Sequence, residues 1–219
     1  MRKVYLIGAG MGNPNTLTAG AAAAIESCAA LAGAERLIRP WASAKPCESI
    51  ILADDIVAWL AEQTAWPVGV LLSGDTGFYS GTKSLIPLLD AYDVEVFPGI
   101  SSLSYFCAKL KTSWHDAFIV SAHGREHNVV GEIQRHEKTF ALTGGQTRVE
   151  DICCELVSQG LGHVVISVGE RLSYPDEKIV TDTAERLADM RFDSLAVMLA
   201  INPQPVTYAP LGISDSAFL

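Results

Sequence analysis

The sequence predicts an α/β fold, with a parallel sheet in its first half and a mixed sheet in its second. Two observations predict the first sheet. Short apolar strands alternate with helical segments through residue 110, the pattern of a parallel sheet with covering helices. Two of those strands also run directly into turns made of Gly, Pro, Asp and small hydroxyl residues. These are Leu71-Leu72-Ser73-Gly74-Asp75-Thr76-Gly77-Phe78-Tyr79 and, about twenty residues on, Val94-Glu95-Val96-Phe97-Pro98-Gly99-Ile100-Ser101-Ser102. Ligands of open parallel sheets bind at such carboxyl ends. The second sheet is predicted by a change of character after residue 113, where strands come with only one clear long helix.

Residues 4–7 read as a buried strand and 8–18 as a loop. Residues 19–31 read as an Ala-rich helix with Glu26 as its only charge. In 50–64 the residues Ile51, Ile56, Trp59 and Leu60 recur at helical spacing, opposite Asp54, Asp55 and Glu62. A buried strand at 68–72, a short helix at 82–89 carrying Pro87, a strand at 94–97 and a helix at 102–110 complete the half. Beyond it, strands are expected at 117–121, 139–142, 164–168 and 195–200. The long helix is 147–159, ending at Gly160, and 183–190 adds a further helix. The domains are accordingly 1–111 and 112–202, with an irregular tail at 203–219 marked by Pro203, Pro205 and Pro210.

Hydrophobic residues make up 49% of the 219 and charged residues 19%, which supports a substantial core. The net charge of −9 offers no basic stripe for nucleic acid. Cys28, Cys47, Cys107, Cys153 and Cys154 are odd in number and lack a C-x-x-C spacing. That indicates neither a disulfide framework nor a zinc site, and the location it fits best is a reducing cytoplasm. Arg2-Lys3 imitates the start of a signal peptide, but the apolar run after it breaks at Gly8. No apolar segment is long enough to cross a bilayer.

The loop Gly8-Ala9-Gly10-Met11-Gly12-Asn13-Pro14 fails the dinucleotide fingerprint, because its third glycine comes one residue early. It is either a place where backbone approaches a ligand closely or simply a tight strand-to-helix connection. Asp75 either caps the helix behind it or belongs to a ligand-binding turn paired with Pro98–Ser102. Ser101 and Ser102 at a helix start suit an anionic group. His115, His123, His127 and His136 share one stretch with Lys109, Lys111, Arg125, Arg135 and Lys138. Arg125 is the candidate for a forked grip on a carboxylate, while His127 and His136 read as surface residues. No spacing supports a protein-bound metal, and no G-x-S-x-G elbow supports a hydrolase.

Together these residues resemble the tetrapyrrole (corrin/porphyrin) methylase family. Its first loop reads Gly-x-Gly-Pro-Gly-Asp-Pro, and its later signatures are a Gly-Asp-Pro turn and a Pro-Gly-Ile-Ser/Thr-Ser turn. The resemblance spans the chain to about Asn202. Val120-Ser121-Ala122-His123-Gly124-Arg125 and Val168-Gly169-Glu170-Arg171-Leu172-Ser173-Tyr174-Pro175-Asp176-Glu177 are most similar to the branch that methylates C5 of the corrin precursor cobalt-precorrin-7. That branch is equivalent to the N-terminal half of the fused precorrin-6Y methylase.

The resemblance implies two α/β domains with S-adenosylmethionine in the cleft between them, in a homodimer. It implies cofactor contacts from Gly74, Asp75, Gly77, Phe78, Ser101, Ser102, Leu142, Thr143, Gly169 and Glu170. Gly10, Met11 and Gly12 of the first loop would face the macrocycle, with His123 and Arg125 on its carboxylates. No catalytic side chain is implied beyond Asp75, whose alternative task is orienting the donor. The sequence departs from the family at Met11, Asn13 and Thr76, and from the branch at Gly144. A chain of this length implies a separate enzyme for C15 methylation and decarboxylation. The rival readings are a methylase of another tetrapyrrole or corrin position, a nicotinamide-dependent oxidoreductase, and a non-catalytic S-adenosylmethionine-binding subunit.

Overall fold

A computed structural model of the chain describes residues 2–122, 128–145 and 147–206. It divides into two compact units. The first comprises the residues up to Ser113 together with Arg171–Glu177, and the second holds Trp114–Glu170 and the chain from Lys178 onward. The segment Arg171–Glu177, placed in the C-terminal domain on sequence grounds, therefore belongs with the N-terminal one.

The first unit runs β1 (Lys3–Gly8), α1 (Ala19–Ser27), β2 (Ala30–Gly33), α2 (Glu35–Ile38), β3 (Cys47–Ser49), α3 (Ala53–Glu62), β4 (Val68–Leu72), α4 (Thr82–Leu85), β5 (Asp93–Phe97) and α5 (Ser102–Lys109). Its five strands are all parallel, in the order β3-β2-β4-β1-β5. Alternate residues of β1 serve opposite faces. Val4 and Leu6 pack with Ile56, Leu60 and Leu85, whereas Ile7 packs with Ala21, Ile25 and Leu37. Both faces are thus covered, as a parallel sheet requires. Each fully buried Ile or Leu contributes about 1.5–3 kcal/mol.

The Ala-rich helix is shorter than its composition predicts. It ends at Ser27, and residues 30–33 form strand β2 instead. The Lys45 ammonium donates to the carbonyls of Ile25, Glu26 and Cys28 at 2.6, 3.0 and 3.0 Å, satisfying groups that every helix end leaves open. Ala30–Gly33 then pairs with Val68–Leu71 on one side and with Cys47–Ser49 on the other. A helix continued through residue 31 would strip both neighbours of ladder bonds, so tertiary pairing overrides alanine's propensity. Similarly, α3 starts only at Ala53, and Ile51 before it is 72% exposed.

The second unit contains β6 (Phe118–Ser121), α6 (Val129–Arg135), β7 (Lys138–Leu142), α7 (Val149–Ser158), β8 (Val165–Glu170), β9 (Lys178–Thr183), α8 (Ala184–Leu187) and β10 (Ala196–Ile201). The sheet is mixed, in the order β6-β7-β10-β8-β9, with only β6 and β7 parallel. Strand β9 and helix α6 lay outside the sequence expectation. Helix α6 owes its start to Asn128, whose side chain accepts from the Gly131 N–H at 2.7 Å. The expected helix at 183–190 contracts to Ala184–Leu187, because Thr183 is taken by β9. Of the tail, Val206 bonds back to the Gln134 carbonyl, and residues 207–219 lie outside the described part. No helix among the described residues is long and apolar enough to cross a membrane.

Candidate active site

Three loops meet at the carboxyl end of the first sheet. Strand β1 lies between β4 and β5. The chain leaves β1 through α1, which packs on one face of the sheet, and leaves β4 through α4, which packs on the other, so the connections of these neighbouring strands part to opposite faces at their carboxyl ends, where crevices form in open α/β sheets.

Backbone bonds lock the loops together. The Ala9 N–H donates to the Leu72 carbonyl, and Gly10 and Gly74 exchange bonds at 3.1 and 2.7 Å. A Cβ at Gly8 would collide with the Gly99 backbone, and one at Gly99 with the carbonyls of Gly74 and Gly8. Gly74 adopts φ +72°, open to glycine at no steric cost. Asp75 completes the assembly. Its Oδ2 accepts from the Gly77 N–H at 2.8 Å and its Oδ1 from the Gly99 N–H at 2.9 Å. It caps no helix, since α4 begins only at Thr82. Ser101 caps α5 by accepting from the Ser104 N–H, and its Cα lies 3.8 Å from where a Gly74 Cβ would be. Thr18, at the start of α1, donates to the Pro98 carbonyl at 3.2 Å. The structure thus brings Gly10, Gly74, Asp75, Gly77 and Ser101 together, with Ser102 next in the chain as the first residue of α5. Beside them opens a cavity of about 410 Å³, lined by Thr76, Gly77, Phe78, Tyr79, Ser80, Thr82 and Lys83.

The first loop is held from beneath. Arg36 of α2 donates from Nη1 to the Met11 carbonyl at 2.7 Å and from Nη2 to the Ser73 hydroxyl at 2.6 Å. One guanidinium therefore ties the β1 loop to the β4 turn. Gly12, at φ +114°, lies against the Tyr174 hydroxyl, which a Cβ there would strike. Asn13 donates from Nδ2 to the Ser173 carbonyl at 2.6 Å. Nothing in the sequence marks Arg36, which carries no motif and reaches its partners only through the folded chain.

In the second unit, Leu142 and Gly169 flank Val197 in register, and Glu170 pairs with the preceding residue, Ala196. Thr143 follows Leu142 directly, so all four residues gather at one end of the sheet. Two of their side chains have visible partners. The buried Thr143 hydroxyl donates to the Ala196 carbonyl at 2.8 Å. Glu170 Oε1 accepts from the Asp193 N–H at 2.6 Å, with Lys178 Nζ 3.4 Å from Oε2. Gly144 has φ +127°, a conformation in which an aspartate would be strained. His123 and Arg125 lie outside the described residues, as does His127. His136 stacks on Phe118 at 4.2 Å and lies 3.5 Å from Glu132. Among the described residues no group of three or more His, Cys, Asp or Glu side chains is placed to hold a metal.

The chain is 30% identical over 177 residues to the cobalt-precorrin-7 C(5)-methyltransferase of Salmonella typhimurium, covering 80% of this chain and 87% of that one. It is 28% identical over 243 residues to the cobalt-precorrin-4 C(11)-methyltransferase of Methanocaldococcus jannaschii, covering 96% and 92%. The fold matches the crystal structure of uroporphyrin-III C-methyltransferase from Thermus thermophilus complexed with S-adenosylhomocysteine. That match has a TM-score of 0.70 at 23% identity, over 90% of this chain and 91% of that one. The sequence model of the tetrapyrrole (corrin/porphyrin) methylases matches residues 3–188, the span that carries all three loops of the first sheet and Leu142, Thr143, Gly169 and Glu170 of the second. The chain belongs to that family of S-adenosylmethionine-dependent methyltransferases.

Proposed function

We propose that this protein transfers a methyl group from S-adenosylmethionine to C5 of a corrin precursor, converting cobalt-precorrin-7 to cobalt-precorrin-8 in cobalamin biosynthesis. The observation that carries the reading is the Asp75 carboxylate joining the Gly74–Gly77 turn to the Gly99 turn. It builds a site from backbone and hydroxyl groups at a sheet switch point. Similarity to the Salmonella C(5)-methyltransferase and the run Val168–Glu177 favour C5. Similarity to the C(11)-methyltransferase favours a second reading, methylation at another corrin position.

The residues present fit the cofactor. The cavity beside Asp75 offers the aromatic Phe78 and Tyr79 together with the hydroxyl-bearing Thr76, Ser80 and Thr82, a lining suited to a nucleoside. In this reading Gly74, Asp75, Gly77, Phe78, Ser101 and Ser102 hold the cofactor from the first unit. Leu142, Thr143, Gly169 and Glu170 contribute from the second. When bound, S-adenosylmethionine supplies a methyl group on a positively charged sulfur. Transfer of that methyl to a macrocycle carbon would exchange the S–CH₃ bond for a C–C bond and leave S-adenosylhomocysteine, with one proton lost from the methylated macrocycle. The chain's task is to bind both partners, align them in line and exclude water, and such positioning alone can lower a barrier by about 7–11 kcal/mol. Gly10, Met11 and Gly12 would face the macrocycle, with His123 and Arg125 engaging its carboxylates. The active form would be a homodimer, and a separate enzyme would methylate C15 and remove the ring C acetate carboxyl.

Incubation of the protein with S-adenosylmethionine and cobalt-precorrin-7 tests the reading. One added methyl located at C5, with S-adenosylhomocysteine formed in equal amount, is the expected result. A methyl placed elsewhere selects the second reading, and no transfer despite cofactor binding refutes both.

A further inference from the structure

We propose that Asn13 is a positioning residue for the macrocycle, holding the first loop in place through a hydrogen bond to the Ser173 backbone that an ionised acid could not donate. The proposal rests on the reading that Gly10, Met11 and Gly12 face the macrocycle.

Asn13 uses both ends of its amide. Nδ2 donates to the Ser173 carbonyl at 2.6 Å, and Oδ1 accepts from the Asn15 N–H at 3.0 Å. Its partner is unusual. Ser173 sits at φ +73° and Arg171, two residues before it, at φ +48°. Such conformations persist in non-glycine residues only where the surroundings enforce them. At Ser173 they do so from both sides. The carbonyl is held by Asn13, and the N–H donates to Glu177 Oε2 at 2.7 Å.

Glu177 is itself anchored. Its Oε1 lies 2.8 Å from Lys109 Nζ, and that ammonium lies 5.1 Å from the centroid of the Tyr105 ring. Lys109 and Tyr105 stand one turn apart on α5, the helix that Ser101 caps at its other end. Two hydrogen bonds and an ion pair therefore join the first loop to the helix leaving the Pro98–Ser102 turn, through the segment Arg171–Glu177. Tyr174 adds a steric stop, its hydroxyl pressed against Gly12 and without a hydrogen-bond partner among the described residues. An aspartate at position 13 would set an anion against the Ser173 carbonyl and have no N–H to offer. The amide at 13 and the loop 171–177 are matched parts of one support.

The test uses the full chain carrying Asn13→Asp, Asn13→Ala, Glu177→Gln and the Asn13→Ala/Glu177→Gln double substitution. Two readouts apply, steady-state methylation of cobalt-precorrin-7 and amide hydrogen exchange without macrocycle. Asn13→Asp and Asn13→Ala are expected to raise KM for the macrocycle about tenfold, with kcat and S-adenosylhomocysteine affinity within about twofold of wild type. The double variant should be no worse than the poorer single one, because both residues act through Ser173. Exchange should rise together in residues 10–16 and 171–177. Unchanged KM, cofactor affinity falling in step with KM, multiplying effects, or exchange rising in residues 10–16 alone would each overturn the proposal. A wild-type protein that binds S-adenosylhomocysteine and methylates no macrocycle would refute the reading of the site and this role with it. Should Asn13→Asp fail to fold, Asn13→Ala carries the test.

Discussion

The Gly99 N–H donates to Asp75 Oδ1 at 2.9 Å, so one carboxylate fixes the separation of two turns that are 24 residues apart in sequence. Its second oxygen fixes the bend of its own turn at Gly77. Asp75→Asn keeps one acceptor and turns an NH₂ toward an N–H. We expect a loss of about 1–2 kcal/mol in stability, read by urea denaturation. S-adenosylhomocysteine affinity should fall at least tenfold by calorimetry, and unchanged affinity would remove the turn from the cofactor site.

Gly99→Ala should be more damaging. Its Cβ would meet the carbonyl of Gly74 and the backbone of Gly8, neither of which can rotate away. Overpacking of rigid backbone costs about 1–3 kcal/mol or more. The variant should melt at a lower temperature and lose cofactor binding, whereas Gly160→Ala, where nothing lies within 4 Å but φ is +78°, should lose stability and keep binding.

Thr143→Val deletes the donor to the Ala196 carbonyl inside the second unit. A buried carbonyl left unpaired costs about 1–3 kcal/mol. Thr143→Ser should restore most of it. Denaturant midpoints of the three proteins decide whether the hydroxyl matters for this bond or only for a ligand.

Acid should weaken the protein partly through Glu177. Burial pushes this carboxyl up, but hydrogen bonds from Lys109, the Ser173 N–H and Tyr105 outweigh it and hold it below the ordinary range. A depressed acid stabilises the fold above its unfolded value of 4.5 and loses that contribution as pH falls through the folded value. Stability measured from pH 7 downward should therefore decline less steeply in Glu177→Gln than in wild type below about pH 5.

Thiol labelling should be selective. Burial pushes the Cys28 thiol up to about 11 and Cys153 up to about 12, while the neighbouring Cys154 is exposed. Only the thiolate reacts, so brief alkylation of the native protein should mark Cys154 and spare Cys28 and Cys153. Peptide mass spectrometry would check this.

Legibility in the sequence followed the range of the interactions. The turns at Gly74–Gly77 and Pro98–Ser102 were readable because their chemistry is local, with glycine, proline and small hydroxyls placed where a strand ends. Residues 30–33 misled because Ala-Leu-Ala-Gly has no strand character of its own and becomes β2 only between two partners. Arg36 and the Asn13–Ser173 bond were invisible for the same reason, since the latter spans 160 residues. The departure at Asn13 looked like the loss of a carboxylate. In the folded chain it is the gain of a donor.

The hairpin connection between β8 and β9 begins and ends on strands of the second sheet, yet Arg171–Glu177 belongs to the first unit. The gene therefore cannot be divided at the apparent boundary. A fragment ending at Ser113 would lack Ser173 and Glu177, leaving the Asn13 amide and Lys109 without their acceptors. Nicking near that boundary would yield two pieces that need each other, and truncation would yield a half that is missing part of its own floor.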